Sequence, residues 1–118
     1  MILNNCLILN EYNNIKINFK NYLKLCDSII IKNSTNVNIK INSPINKIVF
    51  INCKNVILVA DKLISGMDID YCKNCNIFLN VPIYINIFKS NIILNTNNKI
   101  KNNTKIIQQY STIKFIII

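Results

Sequence analysis

The sequence predicts an all-β fold, a β-solenoid of about six turns, and three observations lead to it. Ile and Asn together make up roughly two-fifths of the chain, and β-branched side chains fit a pleated surface better than a helix turn. Apolar residues alternate with polar ones in several short stretches, which is typical of strands with one buried face. A short phrase also recurs at a spacing of 19 residues.

The repeated phrase is clearest in residues 52–56 and 71–75, which both contain Cys-Lys-Asn. Residues 33–37 fall into the same register one period earlier. A unit of about 19 residues cannot bury its apolar face alone, so copies must stack on one another. We therefore expect each unit to hold two strands joined by corners, and six units to form a stub roughly 29 Å long at ~4.8 Å per turn.

The bend of each unit carries a small residue followed by Asn. The small residues are Ser34, Cys53 and Cys72. Stacking should bring the asparagines above one another, where their side-chain amides share hydrogen bonds. These asparagines are Asn36, Asn55 and Asn74.

The alternation also predicts which side chains point inward. The predicted core consists of Ile29, Ile31, Ile48, Phe50, Cys53, Val56, Leu58, Ile69, Cys72, Ile77, Leu79, Ile85 and Ile87. Cys72 and Cys75 form a CxxC pair, but a zinc site needs about four ligands and the chain has no His or second CxxC. We expect buried structural thiols and no metal.

The repeat register weakens towards both ends of the chain. We expect one domain over residues 1–118, in which residues 1–27 and 95–118 form atypical turns that cap the open ends. Residues 95–105 are polar and without periodicity, so they predict a loop.

The charge favours acidic partners. The 14 basic residues, all Lys, outnumber the 5 acidic ones and give a formal net charge of +9, which attracts acidic proteins, nucleic acid or anionic membranes. Nucleic acid is the weaker candidate, because Arg is absent and few aromatics are placed to stack on bases. No run approaches the ~18 apolar residues of a membrane span, and no signal peptide is visible, so we expect a soluble cytoplasmic protein.

The residues for common catalytic chemistry are missing. Without His, the usual Ser-His and Cys-His pairs cannot form, and a single Gly excludes both the P-loop and the dinucleotide fingerprint. Asp68 and Asp70 share the outward face of a predicted strand, where a solvated or partner-facing role is favoured over acid–base catalysis. We expect no enzyme, no cofactor and no small-molecule substrate.

Four lysines are the candidate binding residues. Lys54 and Lys73 should stack as a basic ridge beside the Cys corner, and Lys32 and Lys40 should flank the corner of the preceding turn. Individually they could merely keep the solenoid soluble and blunt its edges; as a group they could face an acidic protein.

Residues 28–118 resemble the C-terminal domain of cyclase-associated protein, within the superfamily shared with tubulin-folding cofactor C. The resemblance lies in residues 48–56, 70–75 and 79–87, the last of which carries Val-Pro before an alternating strand. Residues 93–95 fall where the family has a Tyr-Leu-Ser strand, and residues 111–118 where its last β-helix strand lies. The resemblance implies a right-handed parallel β-helix.

The resemblance also implies a function. The cyclase-associated branch implies binding of monomeric actin, preferentially with ADP, and promotion of nucleotide exchange and filament turnover. Lys32, Lys40, Lys54 and Lys73 would then be actin-binding residues, and the protein would associate with the cytoskeleton.

The cofactor C branch implies tubulin binding, or stimulation of GTP hydrolysis by a tubulin-like or Arf-like GTPase through an arginine finger. The matching position falls on or near Asp68, and the chain has no Arg to act there. The actin branch is therefore favoured, while a degenerate copy with only a scaffold role stays open.

The family dimerises by exchanging a strand that follows the β-helix. This chain ends at Ile118, about where that segment would begin, so we expect the exchange segment to be missing. Pairing of two copies edge to edge through residues 113–118 stays open.

Overall fold

The chain folds as a parallel β-solenoid of six turns in a computed structural model that describes residues 2–3, 6–20 and 28–118. Each turn contributes one strand to each of two parallel sheets. The short strand β1 (Ile2–Leu3) adds an antiparallel neighbour at the N-terminal edge of the first sheet. The predicted fold class is confirmed, and the longest dimension of the molecule is 34 Å.

The two strands of each turn follow one another directly in the sequence. The first sheet contains β2 (Cys6–Asn10), β4 (Ser28–Lys32), β6 (Lys47–Ile51), β8 (Gly66–Asp70), β10 (Tyr84–Phe88) and β12 (Lys105–Gln109). The second sheet contains β3 (Asn13–Phe19), β5 (Thr35–Ile41), β7 (Lys54–Ala60), β9 (Lys73–Leu79), β11 (Asn91–Thr96) and β13 (Thr112–Ile117).

The core lies between the two sheets, and every predicted core residue is buried. The period-two alternation explains this result, because successive side chains of a strand point to opposite faces. Connecting segments close the remaining side of the solenoid: Ile45, Leu63 and Ile83 point into the same apolar cluster. The interior is therefore built from stacked aliphatic side chains around Phe19 and Phe50.

The small residue at each bend has a defined hydrogen-bonding role. The Ser34 hydroxyl donates to the Lys32 carbonyl at 2.9 Å, and Ser90 repeats this contact with the Phe88 carbonyl at 2.9 Å. The same side chain also accepts the amide of the equivalent residue one turn earlier: the Tyr12 amide donates to Ser34 Oγ at 3.1 Å, and the Cys72 amide donates to Ser90 Oγ at 2.9 Å. Ser and Cys interchange at this site because both are small and can donate and accept.

Positive φ angles flank the small residue in each of the better-matched turns. Asn33 and Asn36 have φ of 53° and 54°, and Asn52 and Asn55 have 52° and 58°. Asn is more tolerant of this left-handed region than most residues, which explains why Asn recurs here.

The predicted stack of asparagine amides is confirmed. Asn55 Nδ2 donates to Asn36 Oδ1 at 3.1 Å, and Asn74 Nδ2 donates to Asn55 Oδ1 at 2.8 Å. A second row on the other side of the small residue joins Asn52 to Asn33 at 2.8 Å. The repeated phrase therefore marks one corner of the solenoid.

The repeat becomes hard to see in the sequence after the fourth turn, and the pairing explains why. Ile92 pairs with Cys75, so Asn91 alone occupies the place that Lys73 and Asn74 share in the preceding turn. Ser90 already follows Cys72 by only 18 residues, because the connection over residues 80–83 is one residue shorter than the connection over residues 61–65. Ser111 follows Ser90 by 21 residues, because a longer connection precedes the sixth turn.

That longer connection contains a helix, and the prediction of a loop over residues 95–105 was wrong in its central part and at both ends, because β11 extends to Thr96 and β12 begins at Lys105. Helix α1 (Asn98–Asn103) begins after Asn97, whose side chain accepts the amide of Ile100 at 2.9 Å. Ile100 packs against the core. The N-cap and one apolar contact therefore stabilise a short helix that periodicity could not reveal.

Gly66 begins β8 and pairs with Tyr84 of β10. A Cβ atom at this position would lie 2.5 Å from the carbonyl oxygen of Tyr84, so a larger residue would push the fourth and fifth turns apart. Residues 21–27 of the predicted N-terminal capping segment lie outside the described residues.

Candidate partner-binding surface

Lys54 and Lys73 form the basic ridge expected from the repeat. They are paired residues at the starts of β7 and β9, and both are exposed. They border one shallow cavity of about 320 Å³. The cavity is lined by Asn33, Thr35, Asn52, Cys53, Lys54, Tyr71 and Lys73.

Lys32 lies on the other side of the same corner. It ends β4, where its carbonyl accepts both the Ser34 hydroxyl at 2.9 Å and the Glu11 amide at 3.1 Å. Its side chain borders a separate cavity with Tyr12. Lys32 is therefore near the ridge but faces a different sheet.

Lys40 does not flank this corner, in contrast to the prediction. It lies five residues beyond Thr35 in β5, which is roughly 16 Å along an extended strand, and it faces Asp61 with its Nζ 4.0 Å from a carboxylate oxygen. The difference arises because β5 continues to Ile41, which carries Lys40 to the far end of the strand. Of the four lysines, the structure brings together Lys54 and Lys73, while Lys32 lies across the corner in a separate cavity.

The ridge is not neutralised within the described part of the chain. Ion pairs there engage Lys40 with Asp61 and Lys47 with Asp68, and neither includes a ridge lysine. Two like charges on neighbouring strands repel each other. The ridge therefore presents concentrated positive charge to solvent.

The outward carboxylates Asp68 and Asp70 have structural surroundings. Asp68 contacts Lys47 Nζ at 2.9 Å and accepts the Asn86 amide at 3.1 Å. Burial, together with the nearby charge of Asp68, raises the pKa of Asp70, although Lys47 opposes the rise. The two groups lie on an open strand face and line no deep pocket.

The predicted structural thiols are buried as expected. Cys53, Cys72 and Cys75 have free thiols in the core. The hydrogen bond with Cys72 and burial raise the pKa of Cys53. The hydrogen bond with Cys53 lowers the pKa of Cys72, but Cys75 and burial outweigh it and raise that pKa to about 12. Thiols that stay protonated are poor nucleophiles and poor metal ligands.

No cluster of three or more His, Cys, Asp or Glu side chains suited to a metal ion occurs among the described residues. No helix in that same part of the chain is long and apolar enough to cross a bilayer.

An exposed aromatic cluster lies beside the ridge, and the sequence did not reveal it. The ring centroids of Tyr71 and Phe88 are 5.4 Å apart, and those of Phe88 and Tyr110 are 6.1 Å apart. The three residues do not follow the 19-residue period, because the fifth turn is shorter and the sixth is preceded by α1. A sequence analysis could have grouped them only by recognising that Ser90 and Ser111 occupy the small-residue position of the fifth and sixth turns.

Comparison with known proteins gives a consistent assignment. The family model "Adenylate cyclase associated (CAP) C terminal" matches residues 3–111. A solved structure of cyclase-associated protein from Cryptosporidium parvum has the same fold, with a TM-score of 0.81 and 19% sequence identity over 98% of this chain and 73% of that one. No curated protein sequence matches. Since the family model covers most of its length, the chain belongs to the family of cyclase-associated protein C-terminal domains.

Proposed function

We propose that this chain is a non-enzymatic module that binds monomeric actin, preferentially in its ADP form, and promotes nucleotide exchange and filament turnover. Membership of the cyclase-associated family supports the choice of partner. The observation that carries the proposal is the ridge of Lys54 and Lys73, exposed and without an ion-pair partner among the described residues. We place its action in the cytoplasm, at the actin cytoskeleton.

The ridge suits an acidic protein surface for two physical reasons. Its charges already repel each other across neighbouring strands, and an acidic partner relieves that repulsion. A formal net charge of +9 also steers the whole domain towards an acidic partner, at a rate that falls as salt screens the field. Actin is acidic, so the two surfaces are complementary.

The mechanism needs no covalent step. A module that binds one nucleotide state of its partner more tightly than the other shifts the equilibrium between the two states by that difference in affinity. The protein's own contribution is therefore a rigid, charged surface. The open strand face around Asp68 and the protonated thiols offer no alternative chemistry.

Titration of labelled ADP-actin with the parent protein tests the proposal. We expect saturable binding at tens of micromolar or below that weakens clearly between low and physiological salt. The variant Lys54→Glu/Lys73→Glu should bind at least tenfold more weakly and melt close to the parent, because its two side chains still repel each other.

A matched variant controls for net charge. Lys99→Glu/Lys105→Glu makes the same change in charge at exposed positions around α1, away from the corner, and should bind actin nearly as well as the parent. If both variants lose the same affinity for ADP-actin, the ridge acts only through the overall charge of the domain. Absence of saturable, salt-sensitive binding by the parent would contradict the actin proposal.

Release of a fluorescent nucleotide from ADP-actin tests the second half of the proposal. The parent should accelerate exchange, and the ridge variant should lose that effect in proportion to its loss of binding. If the protein binds ADP-actin without accelerating nucleotide exchange, it is a module that only sequesters actin monomers. Stimulated GTP hydrolysis by a tubulin-like or Arf-like GTPase would instead favour the cofactor C branch, and no partner at all would favour a scaffold.

Self-association is a separate proposal about the last turn. Strand β13 carries exposed apolar side chains, with Phe115, Ile116 and Ile117 exposed by 37%, 38% and 45%. Exposed apolar edges of this kind pair readily with another copy. Sedimentation should reveal a concentration-dependent dimer, and a monomer up to high concentration would exclude it.

A further inference from the structure

The corner residue before each small residue changes character halfway along the solenoid. It is Asn33 and Asn52 in the second and third turns, whereas Tyr71, Lys89 and Tyr110 occupy it in the last three. All of these residues have positive φ, including 55° at Tyr71, 47° at Lys89 and 52° at Tyr110. Asn adopts this region readily, but bulky residues do so only at a cost in conformational energy.

The fold does not need aromatic residues here. Asn33 and Asn52 continue a row of side-chain amides, in which Asn33 donates to Asn10 at 3.0 Å and Asn52 donates to Asn33 at 2.8 Å. Tyr71 ends this row. Backbone strain that the folding of a chain does not require is a recognised feature of functional surfaces.

The tyrosine side chains that replace Asn at this position remain largely exposed to solvent. Tyr71 is 51% exposed and Tyr110 is 83% exposed. Their rings meet Phe88 edge to face, at interplanar angles of 84° and 82°. These contacts order the rings without burying them, so the cluster offers a pre-organised apolar surface.

Lysines surround the rings. Lys89 Nζ lies 5.6 Å from the centroid of Tyr71 and 5.5 Å from that of Phe88, and Tyr71 lines the same cavity as Lys54 and Lys73. None of these lysines has an ion-pair partner within 4.0 Å among the residues that the structure describes. Aromatic anchors inside a charged rim are the arrangement found at the energetic centres of protein interfaces.

We infer that the aromatic corner, defined as Tyr71, Phe88, Lys89 and Tyr110, is the anchor of the actin-binding surface and receives an acidic segment of actin that carries an exposed apolar side chain. The inference rests on the proposed function and adds residues that the lysine ridge does not include. The rings bury the apolar group, and Lys54, Lys73 and Lys89 pair with the carboxylates. A single-stranded nucleic acid fits less well, because perpendicular rings form no continuous platform for successive bases.

Replacement of the two exposed tyrosines tests the inference. Tyr71→Asn and Tyr110→Asn, separately and together, put a residue tolerant of positive φ at each corner, and Tyr71→Asn also extends the amide row. We expect these variants to melt at or above the temperature of the parent. The double variant should bind ADP-actin at least tenfold more weakly, with little change in the salt dependence that Lys54 and Lys73 provide.

Tyr84→Asn is the matched control, because Tyr84 is also exposed (41%) and lies at the opposite end of β10 from Phe88. Its affinity for ADP-actin should stay within about twofold of the parent. Equal affinity of the parent and the double variant would overturn the inference while the actin proposal stands. Failure of the parent to bind actin would overturn both.

A labelled single-stranded RNA provides the competing outcome. If the parent binds this RNA more tightly than ADP-actin and the double tyrosine variant loses that binding, the aromatic corner serves nucleic acid and the inference is overturned. Weak binding that is equal in the parent and the double variant supports the assignment to a protein partner.

Discussion

The corner between the two strands of a turn is built from different residues in the earlier turns and in the last two turns. In the second to fourth turns, an extra Asn with positive φ follows the small residue, and the asparagines of these three turns are joined by amide hydrogen bonds. In the fifth and sixth turns that extra residue is absent. The residue in front of the small residue is Lys89 in the fifth turn and Tyr110 in the sixth, and this replacement of Asn begins with Tyr71 in the fourth turn. The row of amides in front of the small residue is satisfied within the fold in the second and third turns, whereas from Tyr71 onward the same position exposes two tyrosine rings and Lys89.

The same contrast extends to the core. Phe50 and its neighbours in the third and fourth turns are completely buried, whereas the strands of the sixth turn are mostly exposed. A stacked solenoid gains its stability from contacts between neighbouring turns, so a turn with one neighbour is the weakest. The core is therefore densest in the middle of the solenoid, and its C-terminal end is open to solvent.

Truncation of matched phenylalanines should give the largest difference between the two regions. Phe50→Ala leaves a cavity in the middle of the core and should lower the free energy of unfolding by about 3–5 kcal/mol. Phe115→Ala, in the last turn, removes a side chain that is 37% exposed and should cost much less. Denaturant titration measures both, and a Phe50→Ala variant as stable as the parent would mean that the faces of the strands are reversed.

A methyl group at the junction of the two regions should have the next largest effect. Gly66→Ala places Cβ against the Tyr84 carbonyl and should cost about 1–3 kcal/mol, as overpacking usually does. Ser65→Ala is the neighbouring control, since it removes only an exposed hydrogen bond to the Asn46 carbonyl. Equal melting temperatures for Gly66→Ala and the parent would show that the fourth and fifth turns are not tightly coupled.

The amide stack should contribute less, and only in the first region. Asn55→Ala removes two side-chain hydrogen bonds and forces Ala to adopt a φ of 58°, so we expect a loss of about 1–2 kcal/mol. Asn55→Gly keeps the backbone free and should lose less. Asn91→Ala, at the corner of the fifth turn without this geometry, should be nearly neutral; an equal loss there would contradict the distinction between the regions.

The smallest predicted effect concerns Asp70, which ends β8 in the fourth turn and pairs with Phe88 of the fifth turn. Its pKa is raised in the folded state by burial and by Asp68, so its ionisation destabilises the fold as pH rises through the window between the unfolded and folded pKa values. Asp70→Asn should therefore raise the melting temperature slightly at pH 7. The gain should vanish below about pH 3, where the carboxyl is largely protonated in both states, and a gain independent of pH would point to another cause.

Most of the scaffold was predictable from sequence because it depends on local alternation and one fixed period. Those two signals locate the inward face around Phe50 and the stacked Asn55, both of which the structure confirms. In the last two turns the alternation still located Ile85 and Ile87 in the core, but the repeated phrase was lost because one residue is missing before Ser90, another is missing after it, and α1 is inserted before the sixth turn. Lys40 was misplaced for a related reason, since a residue's distance from a corner depends on where its strand ends.

The 19-residue period could not predict the aromatic corner. Tyr71 and Tyr110 are far apart in sequence and are brought together only by the correct stacking of three turns. These tyrosines are unusual because their φ angles are positive. That backbone conformation cannot be predicted from the residue type, since tyrosine rarely adopts it.

Hydrogen exchange of the protein with and without ADP-actin is the most direct test of the central claim, that the corner of the later turns binds the partner while the rest is scaffold. We predict added protection in peptides that cover residues 71–73 and 88–91, with little change in the connecting segments 42–46 and 61–65 on the opposite edge. Protection confined to those connecting segments, in a complex that forms, would contradict the account.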